Sequence, residues 1–326
     1  AEAMSCGKVV LASKSGSENH LWITNSINGF LFDQKLFCSN VLWTGKWDDA
    51  DVSLDLCTIY TYFFLKPNPF TLSFLFMTRD PQTVLITGAT DGIGLALARH
   101  YANQRARLIL VGRRPISALD GELFVPETYC QADLSKPDCT FLVEAFLQEQ
   151  GIDKIDVLIQ NAVTGYYGSV ESQASSHIQD LVAVNLMGPV RLTRACYSLV
   201  QKAAGKVVLI GSVVSNLPCP DYAVYAATKA ALESFGRNLQ SEGGVRVQVI
   251  LPGATRTGLH EKIGLTREVI DWERFPSAEQ VAGQIAKAIE GSQRVRTIGM
   301  GNWCFHRLGR WLGPLLERVM KRRARV

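Results

Sequence analysis

No Cys-x-x-Cys pair occurs among the eight cysteines of this 326-residue chain, and its five histidines have no ligand spacing beside them, which speaks against a structural zinc site. No apolar run reaches the roughly 20 residues of a membrane span. The best candidate, residues 54–77, is cut by Lys66, Pro67, Asn68 and Pro69 into two short pieces. A basic, an apolar and a cleavage region in succession are missing from the amino-terminal end, so no secretory leader is read. An excess of one charge is missing too: 34 basic and 30 acidic residues leave +4, too balanced for binding nucleic acid with the whole surface. Scattered cysteines without a pairing pattern read as small buried apolar residues kept reduced, so a cytoplasmic, disulfide-free setting is expected. What is present, 47% apolar and 20% charged residues, suffices for one good-sized core and excludes a disordered polymer, a collagen and a disulfide-dense miniprotein.

Arginine is absent from the first 78 residues, which hold five lysines, whereas the rest of the chain holds 21 arginines and eight lysines. Eight of the 14 phenylalanines also lie before residue 77. This shift marks a boundary at Met77. Three regions are expected: an irregular or non-native amino-terminal extension (1–76), a domain (77–302) and a basic amphipathic tail (303–326). Residues 7–32 loosely resemble the sugar-nucleotide segment of a retaining glycosyltransferase, with too little chain to form that domain. The extension reads as upstream sequence in front of a natural start.

After Met77 short apolar runs alternate with helical periodicity. Strands are expected at Thr83–Thr87, Arg107–Val111, Thr128–Gln131, Ile155–Ile159, Lys206–Ile210, Val245–Leu251 and Val295–Ile298. Helices are expected at Ile93–Gln104, Asp138–Glu149, Ser176–Lys202, Ala223–Gln240 and Ala278–Glu290. Several strands are apolar at every position, as strands covered on both faces are. The fold class is therefore α/β, a doubly wound parallel sheet of about seven strands between helical layers, with ligands bound beyond the carboxyl ends of the strands.

The first of these strands runs into Thr87, Gly88, Ala89, Thr90, Asp91, Gly92, Ile93 and Gly94, and then a helix. Glycines there let the backbone approach a pyrophosphate, while the helix offers free N–H groups and the positive end of its dipole. Three glycines also make any tight strand-to-helix turn; their place between an apolar strand and a helix favours a dinucleotide site. The second strand ends in Gly112, Arg113 and Arg114. An acidic residue there would accept a bond from a ribose 2′-hydroxyl, whereas two arginines suit a 2′-phosphate and so NADP over NAD. They also read as a solvated surface pair, and the Asp91 charge is unhelpful to an extra phosphate.

Tyr225 and Lys229 stand one helical turn apart on one face. A lysine cation within about 4–6 Å favours the phenolate and makes a proton-transfer group. Such a pair arises often by chance, but Ser212, thirteen residues upstream at a strand end, could bind a substrate carbonyl oxygen.

Together these residues resemble the short-chain dehydrogenase/reductase family, in its compact single-domain branch, over residues 81–300. The resemblance rests on the glycine turn at 87–94, Asp133 and Leu134 after the third strand, Asn161 and Ala162 after the fourth, Asn185, Ser212, Tyr225 and Lys229, and Pro252, Gly253 and Thr257 after the sixth. It implies a Rossmann-type fold with Tyr225 as general acid/base and Ser212 orienting the carbonyl. Lys229 would hold the nicotinamide ribose and lower the tyrosine pKa, and Asn185 would hold a relay water. Asp133 and Leu134 would flank the adenine, Asn161 would support the cofactor strand, and Pro252, Gly253, Thr255 and Thr257 would border the nicotinamide. Departures are Gln160 and Val163 around Asn161 and Ala162, a stretch at Pro115–Glu127 too short for a full helix, and Gly211 before Ser212 where a second serine is common.

The segments expected to touch substrate, 213–221 and 258–275, contain Val213, Val214, Leu217, Leu259, Ile263 and Leu265. A lipophilic small-molecule carbonyl or alcohol follows, although the same residues also read as a packed lid. The tail reads as an interfacial helix on an anionic bilayer, as oligomer packing or as a solvated basic end. The expected function is an NADP-dependent oxidoreductase, a homo-oligomer with no nucleic-acid partner; a catalytically silent cofactor sensor and a nucleotide-sugar epimerase of the same superfamily are the competing readings.

Overall fold

The computed structural model describes residues 10–13, 20–27, 30–37, 81–119, 121–264, 271–304 and 306–307. The chain divides into two units, Ala1–Thr78 and Arg79–Val326. In the first, β1 (Val10–Ser13), β2 (His20–Ile27) and β3 (Phe30–Phe37) pair as an antiparallel sheet in that order. This differs from the sequence reading of that segment as lacking orderly strands. Ile27 pairs with Phe30 where β2 meets β3. The apolar stretch 54–77 and the tail beyond Arg307 lie outside the described residues.

The second unit runs β4 (Thr83–Thr87), α1 (Gly92–Asn103), β5 (Arg107–Gly112), β6 (Tyr129–Gln131), α2 (Cys139–Glu149), β7 (Val157–Gln160), α3 (Ser175–Val182) and α4 (Gly188–Lys202). It continues through β8 (Lys206–Ile210), α5 (Ala223–Glu242), β9 (Arg246–Leu251), α6 (Leu259–Lys262), α7 (Ala278–Glu290) and β10 (Val295–Thr297). Its seven strands lie in the order β10-β9-β8-β7-β4-β5-β6, every pairing parallel. Strand order reverses at β4, flanked by β5 and β7, and the ends of these strands open the crevice where such sheets bind ligands.

Period-two alternation divides the apolar strands between two cores. Leu85, Leu158 and Leu209 face one, packed with α2, α4 and α5 through Val143, Cys196 and Leu232. Ile86, Ile159 and Ile210 face the other, packed with α1 and α7 through Leu97 and Ile285. Each such side chain gains roughly 1.5–3 kcal/mol by leaving water, which is why these strands carry no polar face. Between β5 and β6 there is only a short 3-10 turn, Ile116–Ala118. The helix expected over Ser176–Lys202 is instead interrupted by a π-helical turn, Ala183–Met187, that holds Asn185. Among the described residues no helix is long and apolar enough to cross a membrane.

Candidate active site

The chain leaves β4 and turns through Gly88 (φ +64°) and Gly92 (φ +51°) into α1, left-handed values that favour glycine. A β-carbon on Gly94 would collide with the Gly88 carbonyl oxygen and lie 2.5 Å from Asn161 Nδ2. Thr87 Oγ1 accepts the N–H groups of Asn161 and Ala162, each at 3.0 Å, and Asn161 Nδ2 donates to the carbonyls of Thr87 (3.0 Å) and Gly88 (3.3 Å). Asn161 thus laces the end of β7 to the glycine turn, the supporting role expected of it. Thr90 packs its methyl towards Gly112, where a β-carbon would stand 2.7 Å away, and Ile93 packs against the core under α1.

Asp91 caps α1, its Oδ1 accepting the Gly92 N–H at 2.7 Å, while its other oxygen bonds the Lys262 ammonium. Burial works against the Asp91 charge, but Lys262, the Gly92 N–H and Arg114 together hold its pKa below the ordinary aspartate value. The Asp91 charge, unhelpful to an extra phosphate, is thus partly balanced in the structure by a lysine 171 residues away in the chain. Arg113 and Arg114 are exposed at the end of β5, the Arg114 guanidinium donating to the Ala118 carbonyl. Asp133 Oδ1 accepts the Ser135 N–H at 3.0 Å, and Leu134 is buried beside Gly188. After β9, Pro252 accepts the Val213 N–H at 3.1 Å, Thr255 Oγ1 donates to the Gly253 carbonyl at 3.1 Å, and Thr257 lies against Gly92.

At the end of β8, Ser212 caps the 3-10 turn Val213–Asn216, its Oγ accepting the Val214 N–H at 3.4 Å. Tyr225 and Lys229 project from successive turns of α5; Lys229 is buried, donates to the Ile210 carbonyl at 2.9 Å and stands 5.9 Å from the centre of the Tyr225 ring. Burial pushes the Tyr225 phenol up to about 12, opposed by its hydrogen bond with Ser212, and pushes Lys229 down to about 8. Desolvation is the larger of these two causes, and the Lys229 ammonium donates its hydrogen bond to Ile210. Tyr225 is a protonated phenol at neutral pH, a proton donor.

Asn185 is fully buried and its amide is spent. Oδ1 accepts the Thr164 N–H and Nδ2 donates to the Thr164 carbonyl, each at 2.9 Å, while the second Nδ2 proton reaches Thr228 Oγ1 at 3.2 Å. Its side chain therefore clamps the loop after β7 to α5.

Sequence reasoning passed over Glu233, one turn beyond Lys229 on the same face and legible from that spacing alone. Its carboxylate receives the Ser215 hydroxyl at 2.6 Å and the Arg237 guanidinium at 2.7 Å, with His306 Nε2 3.5 Å away. Burial opposes the charge, but these three contacts outweigh it and hold the carboxyl at about 2. A carboxylate held down in this way stabilises the fold above the ordinary glutamate value and loses that contribution as pH falls towards 2. The melting temperature of the wild type, followed by circular dichroism, should therefore fall more steeply between about pH 5 and pH 3 than that of Glu233→Gln; equal slopes would contradict the assignment.

The donor set fits a dinucleotide. The turn positions without side chains and the positive end of α1 suit a diphosphate, Arg113 and Arg114 stand at the end of the neighbouring strand, and Ser212, Tyr225 and Lys229 gather at the end of β8 on the same edge of the sheet.

A family profile described as short chain dehydrogenase matches residues 82–268. The protein named 11-beta-hydroxysteroid dehydrogenase-like 3 of Arabidopsis thaliana is 34% identical over 241 residues, 69% of this chain and 75% of that protein. The 11-beta-hydroxysteroid dehydrogenase A of Arachis hypogaea is 31% identical over 226 residues, and the match spans 60% of this chain and 64% of the length of that relative. Among solved structures, a short-chain dehydrogenase from Sphingobium yanoikuyae in complex with NADPH superposes with a TM-score of 0.60 at 28% identity, covering 74% of this chain and 95% of that one. With its parallel seven-stranded sheet, glycine turn and tyrosine–lysine helix, the chain belongs to the short-chain dehydrogenase/reductase family of nicotinamide-dependent oxidoreductases.

Proposed function

We propose that this protein is an NADP-dependent oxidoreductase that interconverts a carbonyl and a hydroxyl group on a lipophilic small molecule. The observation that carries this reading is the convergence of a protonated Tyr225, a Ser212 hydroxyl near enough to lower its pKa and a buried Lys229 at the sheet edge that also bears the glycine turn. When bound, the nicotinamide supplies or accepts the hydride. Ser212 donates a hydrogen bond to the substrate oxygen and orients the carbonyl. Tyr225 gives its phenolic proton to that oxygen as charge develops there, the form of the group that a reduction uses. Lys229 lies within the field of the ring and stabilises negative charge on the phenolic oxygen once the proton has left.

Support for a lipophilic substrate comes from the surroundings of Tyr225. Its ring centre lies 5.7 Å from that of Tyr222, tilted by 60°, and Tyr222 lies 5.2 Å from Tyr167, which gathers three aromatic rings at the site. Leu265, also expected there, is outside the described residues. The two plant relatives are named hydroxysteroid dehydrogenases, which points to the same substrate class. A spectrophotometric screen of NADPH oxidation with ketosteroids, 3-oxoacyl thioesters and simple ketones tests the reading; no turnover with any of these classes would refute it.

Support for NADP comes from Arg113 and Arg114. Replacing both with alanine should weaken NADPH binding by about 10- to 100-fold, read by fluorescence titration, and leave NADH binding within about threefold. Equal losses for both nucleotides would show that the pair does not read a 2′-phosphate.

A further inference from the structure

The mechanism leaves one buried cluster unused, the group of side chains around Glu233. Glu233 lies on α5 a turn after Lys229, is 6% exposed, and grips two segments that α5 does not otherwise hold through side-chain charge. Ser215, whose hydroxyl donates to Oε2 at 2.6 Å, is part of the 3-10 turn that Ser212 caps. That turn is sparsely bonded. The Ser215 N–H reaches the Ser212 carbonyl at 3.2 Å, the Val214 N–H reaches Ser212 Oγ at 3.4 Å, and Val213 is held by Pro252 at 3.1 Å. His306, 8% exposed, brings its Nε2 to 3.5 Å from the same oxygen, Oε2, while Arg237 takes Oε1.

We propose that Glu233 is a positioning residue that fixes the hydroxyl of Ser212 towards Tyr225 by anchoring the turn through Ser215, with His306 making the carboxy-terminal segment part of the same clamp. The physical logic is one of reach. Ser212 and Tyr225 sit on different elements, and the turn between them has only weak, long hydrogen bonds of its own. Apolar packing seats Val213 and Leu217 against the core, but a short bond from a buried carboxylate is the strongest polar contact that reaches the turn, and charge-assisted bonds of this kind are about twice as strong as neutral ones. Because the carboxylate shares α5 with Tyr225 and Lys229, the turn is referenced to the groups it must face.

This inference rests on the oxidoreductase reading for its kinetic test, so a second, activity-independent readout accompanies it. Ser215→Ala removes the link and leaves Glu233 with Arg237 and His306, so the fold is retained. The expected result is a fall in kcat of about tenfold with NADPH affinity unchanged, and Glu233→Gln should move kcat in the same direction. In a Ser212→Ala background the Ser215→Ala change should have no further effect, because the residue acts through Ser212. An equal loss in both backgrounds, or no loss in the wild-type background, overturns the proposal. Hydrogen exchange at the Val214 and Ser215 amides supplies the independent readout: exchange in Ser215→Ala should be at least about tenfold faster, with the amides of α5 unchanged. If the wild type turns over no carbonyl, the proposed function fails while exchange still decides the clamp, and unchanged protection at those two amides refutes it.

Discussion

Tyr225→Phe should lower kcat/KM for carbonyl reduction by about a thousandfold and leave the affinity for NADPH unchanged. General acid catalysis by a positioned side chain is worth roughly 10²–10⁴-fold, and the phenol here has no substitute. Lys229 donates to the Ile210 carbonyl, Ser212 is a far weaker acid, and Asn185 has spent its amide on Thr164 and Thr228. The substitution removes one oxygen from a half-buried ring and leaves its tilted contact with Tyr222 in place, so stability should change little. Stopped-flow reduction and nucleotide titration on the same preparation separate the two quantities. Turnover that survives would mean that the proton comes from water, and the assignment of Tyr225 would fall.

Gly94→Ala should have the second largest effect. A single methyl there meets the Gly88 carbonyl and the Asn161 amide nitrogen, both of them held in place by the Thr87–Asn161 lacing, so no flexible side chain can move aside. The turn has to open, and displacement of a binding group by about 1 Å commonly loses on the order of 100-fold. Nucleotide affinity should fall by at least that factor, and overpacking should lower stability by about 1–3 kcal/mol. Gly283→Ala is the matching control. It lies inside α7 with open space where the β-carbon would go, and alanine there should stabilise the protein by roughly 0.5–1 kcal/mol with nucleotide binding intact. Unimpaired binding in Gly94→Ala would show that the turn is not the cradle.

The sheet was legible because its strands have no polar face. Thr83–Thr87 and Lys206–Ile210 are found where the apolar runs lie, and only the edges move by a residue or two elsewhere. Helix α7 was legible from apolar residues three and four apart, and in the structure Ser277 and Gln280 close a capping box at its start. Three features were not legible. The π-helical turn at Asn185 adds a residue within a helix without disturbing the apolar spacing on either side, so periodicity passes through it. The Lys262–Asp91 contact joins positions far apart in sequence, with no local signal in either. The direction of the Tyr225 shift depends on how much water the phenol loses, a property of the packed site that spacing cannot report.

Because the central sheet is a single layer, the side chains above and below it belong to separate assemblies. A methyl group lost from Leu85 opens a gap in the layer that holds α2, α4 and α5, the last of which seats the proton-transferring groups; one lost from Ile86 opens a gap in the layer that holds α1 and α7, the first of which seats the nucleotide cradle. The enzyme thus stands on two foundations that can be reworked one at a time. Drift in the floor under the cofactor can accumulate without misaligning the chemistry, and repacking under the chemistry leaves the cofactor floor untouched.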